Sequence, residues 1–205
     1  MSLRSRRSGN AKGGKGEWPV SWLRLPRPKS YAPEIKALQD GSRERLGYVR
    51  HFLRLPFEPT RLALIQGYID RLVRGKDGHL SAVERELLAL VVSVENRCEV
   101  CIVTHAAALE RGGVAKDLVD ILAINWRRAG LNRRWKALAK FASRLTLAPA
   151  EADESHLEEL RSAGLREREI FEAVQVVGVF NYTNRVNSAL GVKLNREAHA
   201  AYRSG

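Results

Sequence analysis

Residues 84–109 read ERELLALVVSVENRCEVCIVTHAAAL and contain both cysteines of the chain, Cys98 and Cys101. His105 lies four positions beyond the second cysteine, and Glu86 lies twelve before the first. On an α-helix, residues three or four apart share a face, so Cys98, Cys101 and His105 fall on one side. Well inside a regular helix, two thiols at this spacing hold their β-carbons about 5–6 Å apart. A disulfide wants roughly 3.5–4.5 Å, so a working dithiol belongs at a helix start. Glu95-Asn96-Arg97 interrupts the apolar run 87–94 just before Cys98, and asparagine is a favoured capping residue. We therefore expect one helix from 81 to about 95 and a second from 98 to about 110. At the start of the second, unpaired N–H groups and the positive end of the helix dipole favour thiolate. His105 offers a proton acceptor one turn further in, and Glu86, arriving from the preceding helix, can orient its imidazole. Glu95 competes with Glu86 for that orienting role, whereas Glu99 should point to solvent.

Zinc is the rival use of such residues, since Cys98, Cys101 and His105 offer three ligands. Structural sites usually need a fourth, and the chain has no second Cys-x-x-Cys and no His-x-x-x-His. All three ligands on one short helix also make tetrahedral closure awkward, so no metal is expected. His51, His79, His156 and His199 lie in charged or turn-like surroundings and read as surface residues.

The spacing of Glu86, Cys98, Cys101 and His105 resembles the Glu…Cys-x-x-Cys-x-x-x-His pattern of the AhpD-like alkylhydroperoxidases, within the carboxymuconolactone decarboxylase superfamily. LSAVERELLALVVSVENRCEVCIVTHAAAL, with the later FNYTNRVNSALGV, is most similar to its peroxidase-related branch, and the likeness extends over about residues 18 to 195. The resemblance implies a compact all-α AhpD-like domain. It implies a thiol-dependent peroxidase that reduces hydrogen or organic peroxides without a bound cofactor. Cys101 then matches the peroxide-attacking cysteine, Cys98 the resolving one, and Glu86 and His105 the proton relay. An external dithiol, whether lipoyl, thioredoxin-like or a small thiol, would reduce the resulting disulfide. A homo-oligomer, trimer or hexamer, is also implied. One departure is that Val100 stands where such enzymes commonly carry a second histidine, which bears on how far the thiolate is activated. Two alternatives remain open: a carboxymuconolactone-decarboxylase-like enzyme, with dispensable cysteines and arginines facing a carboxylate substrate, and a non-catalytic redox-sensing module.

A chain of 205 residues with 44% hydrophobic content can bury a sizeable core. No apolar run approaches the ~18 residues needed to cross a bilayer. The net charge of +12 is concentrated at one end, with eight Lys and Arg against Glu17 alone in residues 1–29. A solvated tail explains that bias without nucleic acid. Arg6-Arg7 is not followed by an apolar segment before Trp18, so an export signal is not indicated and a cytoplasmic protein is expected.

Residues 1–17 are expected to be a disordered basic tail and 18–33 an extended, proline-rich strap, because Pro19, Pro26, Pro28 and Pro33 forbid a helix. A single helical domain should fill 34–205. Thr60 is a candidate cap for a helix through Leu62, Ile65, Ile69 and Leu72. Ser81 and Glu84 form a capping-box pattern ahead of Glu86. Further helices are expected at 114–126, 131–147, 151–162 and 167–190, with no sustained two-residue alternation anywhere. At a constant offset of 83, Glu86 falls on Glu169, Cys98 on Asn181 and Cys101 on Asn184. This is either an internal pseudo-repeat with amides in place of thiols or two amphipathic helices sharing common residues. In the first reading Asn181, Asn184 and Arg185 lie near the dithiol or at a subunit contact.

Overall fold

Six consecutive residues, 87–92, have no exposed surface at all. A helix apolar on every side belongs at the centre of its bundle, and this one, α3 (Ala82–Glu95), packs against five others. The computed structural model describes residues 19–198. Before α3 come α1 (Pro33–Leu46) and α2 (Pro59–Arg74). After it come α4 (Glu99–Arg111), α5 (Lys116–Asn125), α6 (Arg133–Leu147), α7 (Glu154–Ser162) and α8 (Glu167–Leu190). Short 3₁₀ turns lie at His51–Arg54, Trp126–Arg128 and Pro149–Glu151, residues 196–198 are again helical, and no strand occurs among the described residues. The fold is all-α, as the sequence indicates. The expected tail, residues 1–17, lies outside the described residues.

Ser81 caps α3 as its sequence pattern requires: Ser81 Oγ accepts from the Glu84 N–H at 3.2 Å and the Glu84 carboxylate accepts from the Ser81 N–H at 2.9 Å. Arg134 of α6 then donates to Glu84 at 2.6 Å and to Glu169 of α8 at 2.9 Å, joining three helices at one guanidinium. At the same end of the bundle, Arg85 and Glu172 form a buried pair at 3.1 Å. Arg85 also donates to the carbonyls of Leu72, Val73, Gly75 and Leu80, and Glu172 accepts the N–H groups of His79 and Leu80. These contacts satisfy the last carbonyls of α2, which would otherwise be orphaned.

The cap of α2 differs from expectation. Glu58, not Thr60, is the N-cap, and its carboxylate accepts from the N–H groups of Thr60 and Arg61 at 3.1 and 2.8 Å. The cause is Pro59, whose fixed φ suits the first helical position, so the helix begins before Thr60.

The strap, residues 19–32, has no regular structure and is pinned to the end of α8. Trp22 N–H donates to Leu190 O at 2.9 Å, and Lys193 N–H donates to Val20 O at 2.9 Å. Val20, Leu55 and Val192 form a small buried cluster there. Gly191 closes α8 at φ 57°, and the Trp22 ring lies so close that a β-carbon would have no room.

Candidate active site

Three residues connect α3 to α4, and their hydrogen bonds fix where the sulfurs go. Arg97 adopts the left-handed conformation, φ 53°. Its N–H donates to Val94 O at 3.0 Å, while the Cys98 N–H donates to Ser93 O at 3.0 Å. This is the paired arrangement that commonly ends a helix with glycine at the left-handed position. Cys98 is at once the last partner of that turn and the N-cap of α4, with φ −86° and ψ 95°. Asn96, expected to cap the second helix, instead ends the first. Its side chain donates to Asn181 Oδ1 at 3.0 Å and to Asn184 Oδ1 at 3.4 Å. The amides at the 83-residue offset therefore brace the turn that carries Cys98.

Both cysteines are free thiols, 3% and 5% exposed. Their protonation is strongly unequal. A hydrogen bond from the Cys101 thiol lowers the Cys98 thiol to about 7, against the opposing effect of burial and with help from Ser188. Cys101 is pushed up, first because it is the donor to Cys98 and then because it is buried. Sharing one proton between the two sulfurs favours a single negative charge on the pair, on the cysteine at the helix start.

His105 Nδ1 lies 2.7 Å from Glu86 Oε2. A carboxylate can only accept, so Nδ1 carries the proton, and in the neutral imidazole Nε2 is then the acceptor atom. Phe180 of α8 packs edge-on against the imidazole, with ring centroids 4.4 Å apart. Glu86, Cys101 and His105 line one cavity, whose other walls include Ile65, Ile69 and Phe180. Cys98 lines a separate groove on the other side of Val100, edged by Trp22, Arg97 and Lys193. Glu95, the competing acid, accepts from Trp126 Nε1 and Ser143 Oγ, each at 2.7 Å, and pairs with Arg127 at 2.9 Å. Its carboxylate is committed to holding the Trp126–Arg128 turn and α6 to α3. Glu99 is exposed.

Three residues of the site escaped the sequence reading. Asn187, one turn beyond the amides singled out, donates to Cys101 Sγ at 3.4 Å. Arg50 lines the cavity with Cys101. His51, read as a surface residue, is 3% exposed and lines that cavity too. Its Nδ1 is 2.9 Å from Lys193 O and its N–H donates to Asn195 Oδ1 at 2.9 Å. His79 is exposed and His156 partly so, while His199 lies outside the described residues. Among the described residues no group of three or more His, Cys, Asp and Glu side chains is placed to hold a metal ion. Nor is any described helix long and apolar enough to cross a membrane.

The carboxymuconolactone decarboxylase family model matches residues 59–139, the stretch from α2 into α6. Over the whole fold, the chain is similar to the crystal structure of an uncharacterized peroxidase-related protein from Silicibacter sp. TM1040. The TM-score is 0.83 at 33% identity, covering 93% of this chain and 100% of that one. The chain belongs to the AhpD/carboxymuconolactone decarboxylase superfamily. A second AhpD-like structure, the alkylhydroperoxidase AhpD core of a peroxidase-related protein from Ralstonia eutropha JMP134, has a TM-score of 0.75 and 28% identity, covering 90% of this AhpD-like chain and 97% of its own. An uncharacterized protein of Cupriavidus necator is 30% identical over 74 residues, 36% of this chain. The match spans 64% of the length of that curated relative.

Proposed function

We propose that this AhpD-like protein is a thiol-dependent peroxidase acting on hydrogen or organic peroxides. The observation that carries the reading is the placement of a free Cys98–Cys101 pair at the mouth of α4, with the Glu86–His105 pair sharing a cavity with Cys101. The names of its peroxidase-related structural neighbours agree with it.

In the cycle, the Cys101 proton passes to the Cys98 thiolate. The Cys101 thiolate then attacks the terminal peroxide oxygen, the O–O bond breaks, and Cys101 becomes a sulfenic acid. The departing alkoxide or hydroxide takes a solvent proton relayed by His105 Nε2, the imidazole being kept oriented by Glu86. Cys98 next attacks the sulfenic sulfur, forming the disulfide and releasing water. An external dithiol reduces the pair by exchange, giving up two electrons and two protons. The groove beside Cys98, with Trp22 and Lys193 at its edge, is the approach for that reductant. The cycle needs no bound cofactor or metal.

A homo-oligomer in the cytoplasm completes the proposal. Phe171 and Tyr182, 66% and 52% exposed, lie with Val174 and Gly178 along one stripe of α8, a face suited to a second copy. The mass in solution tests it, and a monomer at micromolar concentration contradicts it.

Turnover of the Cys→Ser variants tests the chemistry. Cys101→Ser should abolish peroxide reduction, and Cys98→Ser should stop after one oxidation with no intramolecular disulfide. Equal, full activity in both ends the assignment. The lowered Cys98 thiol favours a second reading in which the cysteines exchange roles. A sulfenic acid trapped on Cys98 in Cys101→Ser, with none on Cys101 in Cys98→Ser, would select it.

A further inference from the structure

The cavity also holds a cation that the peroxide cycle leaves unused. Arg50 follows α1 and precedes the turn His51–Arg54, where its N–H donates to Ser42 Oγ at 3.2 Å. Its guanidinium reaches the cavity that contains Cys101, Glu86 and His105. Among the described residues one Nη2 contact, to Gln66 Oε1 at 3.2 Å, accounts for the side chain's bonds. Nε is sealed from solvent and has no hydrogen-bond partner. A guanidinium has five N–H donors, so most of this one's capacity is idle.

No carboxylate neutralises it. Glu86 is taken by His105, and Asp70 by Arg74 and Gln66. Among the described residues Arg50 forms no ion pair; its neighbours Arg74 and Arg45 repel it, while Tyr48 and Cys101 attract it when ionised. Burial, then those two cations, lower it only to about 10, so it stays charged at neutral pH. Buried charges are normally paired, and a partly exposed guanidinium with its Nε sealed, lining a largely apolar cavity without a carboxylate partner, fits a site whose anion arrives with the ligand.

The space is small. It offers about 80 Å³ of room, where one water needs roughly 10–15 Å³, which suits a compact molecule better than a long lipid. Ile65, Ile69 and Phe180 would flank an apolar body, and the planar fork of arginine matches a carboxylate. We infer that the cavity takes a small organic substrate bearing a carboxylate, held by Arg50 and Gln66 with its reactive end toward Cys101. The inference takes the reactive end from the peroxidase reading; the carboxylate site stands without it.

Calorimetry on the full-length reduced protein, with benzoate and its neutral isostere benzamide as probes, separates the two. Benzoate should bind at least about tenfold more tightly, Arg50→Gln should erase the preference, and Arg50→Lys should keep part of it. Equal affinities in the unaltered protein, or a preference that survives in Arg50→Gln, overturn the inference whether or not the protein reduces peroxides. Where turnover is measurable, Arg50→Gln should raise the KM of a carboxylated aryl hydroperoxide relative to its uncarboxylated analogue. A uniform loss of kcat with that KM ratio unchanged would instead assign Arg50 to the Cys101 thiolate.

Discussion

Glu86 Oε2 and His105 Nδ1 meet at 2.7 Å across the α3–α4 corner, a contact between residues nineteen apart in the chain. It fixes the tautomer of the neutral imidazole, leaving Nε2 as its acceptor atom. Glu86→Gln keeps the shape but lets the imidazole adopt the other tautomer. Stopped-flow measurement of peroxide-dependent thiol loss should show a rate about 10²-fold lower with little change in melting temperature. An unchanged rate would remove Glu86 from the relay.

The unequal thiols predict a titration. Ultraviolet thiolate absorbance should show one group ionising near pH 7, the value to which Cys98 is lowered, while Cys101 stays protonated well above the ordinary thiol range. Removing the donor by Cys101→Ala should move the Cys98 titration upward. Two thiols ionising together at an ordinary value would contradict the coupling.

Arg97 occupies at φ 53° a position that glycine fills at least cost. Arg97→Gly should therefore be neutral or stabilising, by up to about 1 kcal/mol in chemical denaturation. A loss of more than that would mean that the arginine side chain holds the turn.

Glu169 predicts how the fold responds to acid. Burial alone would raise it, but the Arg166 N–H and the Arg166 and Arg134 guanidinium groups hold it down at about 2. Because the folded value lies below the unfolded one, its contribution is complete above the ordinary value of 4.5 and is lost as pH falls from there toward 2. A fall from 4.5 to about 2 is worth about 3 kcal/mol, which solvent screening at the exposed Arg166 reduces to about 2 kcal/mol. Unfolding free energy measured against pH should decline across that window, and Glu169→Gln should flatten the decline.

What the sequence made legible was local. The Ser81–Glu84 box, the break before Cys98 and the central apolar helix each depend on neighbours within a few residues, and each appears where expected. Asn96 was misplaced because capping preference cannot tell the end of one helix from the start of the next when three residues join them. The cavity residues were hidden for a different reason. His51 is buried by Asn195 and Lys193, more than 140 positions away, and nothing in the charged stretch around it signals that. Arg50 and Asn187 reach the site by the same long-range packing, whereas Cys101 and His105 could be paired because the helix period puts them on one face.

One measurement bears most directly on the dithiol claim: peptide mass mapping of the reduced protein after one equivalent of peroxide. The account predicts loss of both free thiols and a Cys98–Cys101 disulfide that an added dithiol reverses. Two thiols still free, or oxidation that halts on one cysteine while the other remains unchanged, would contradict it.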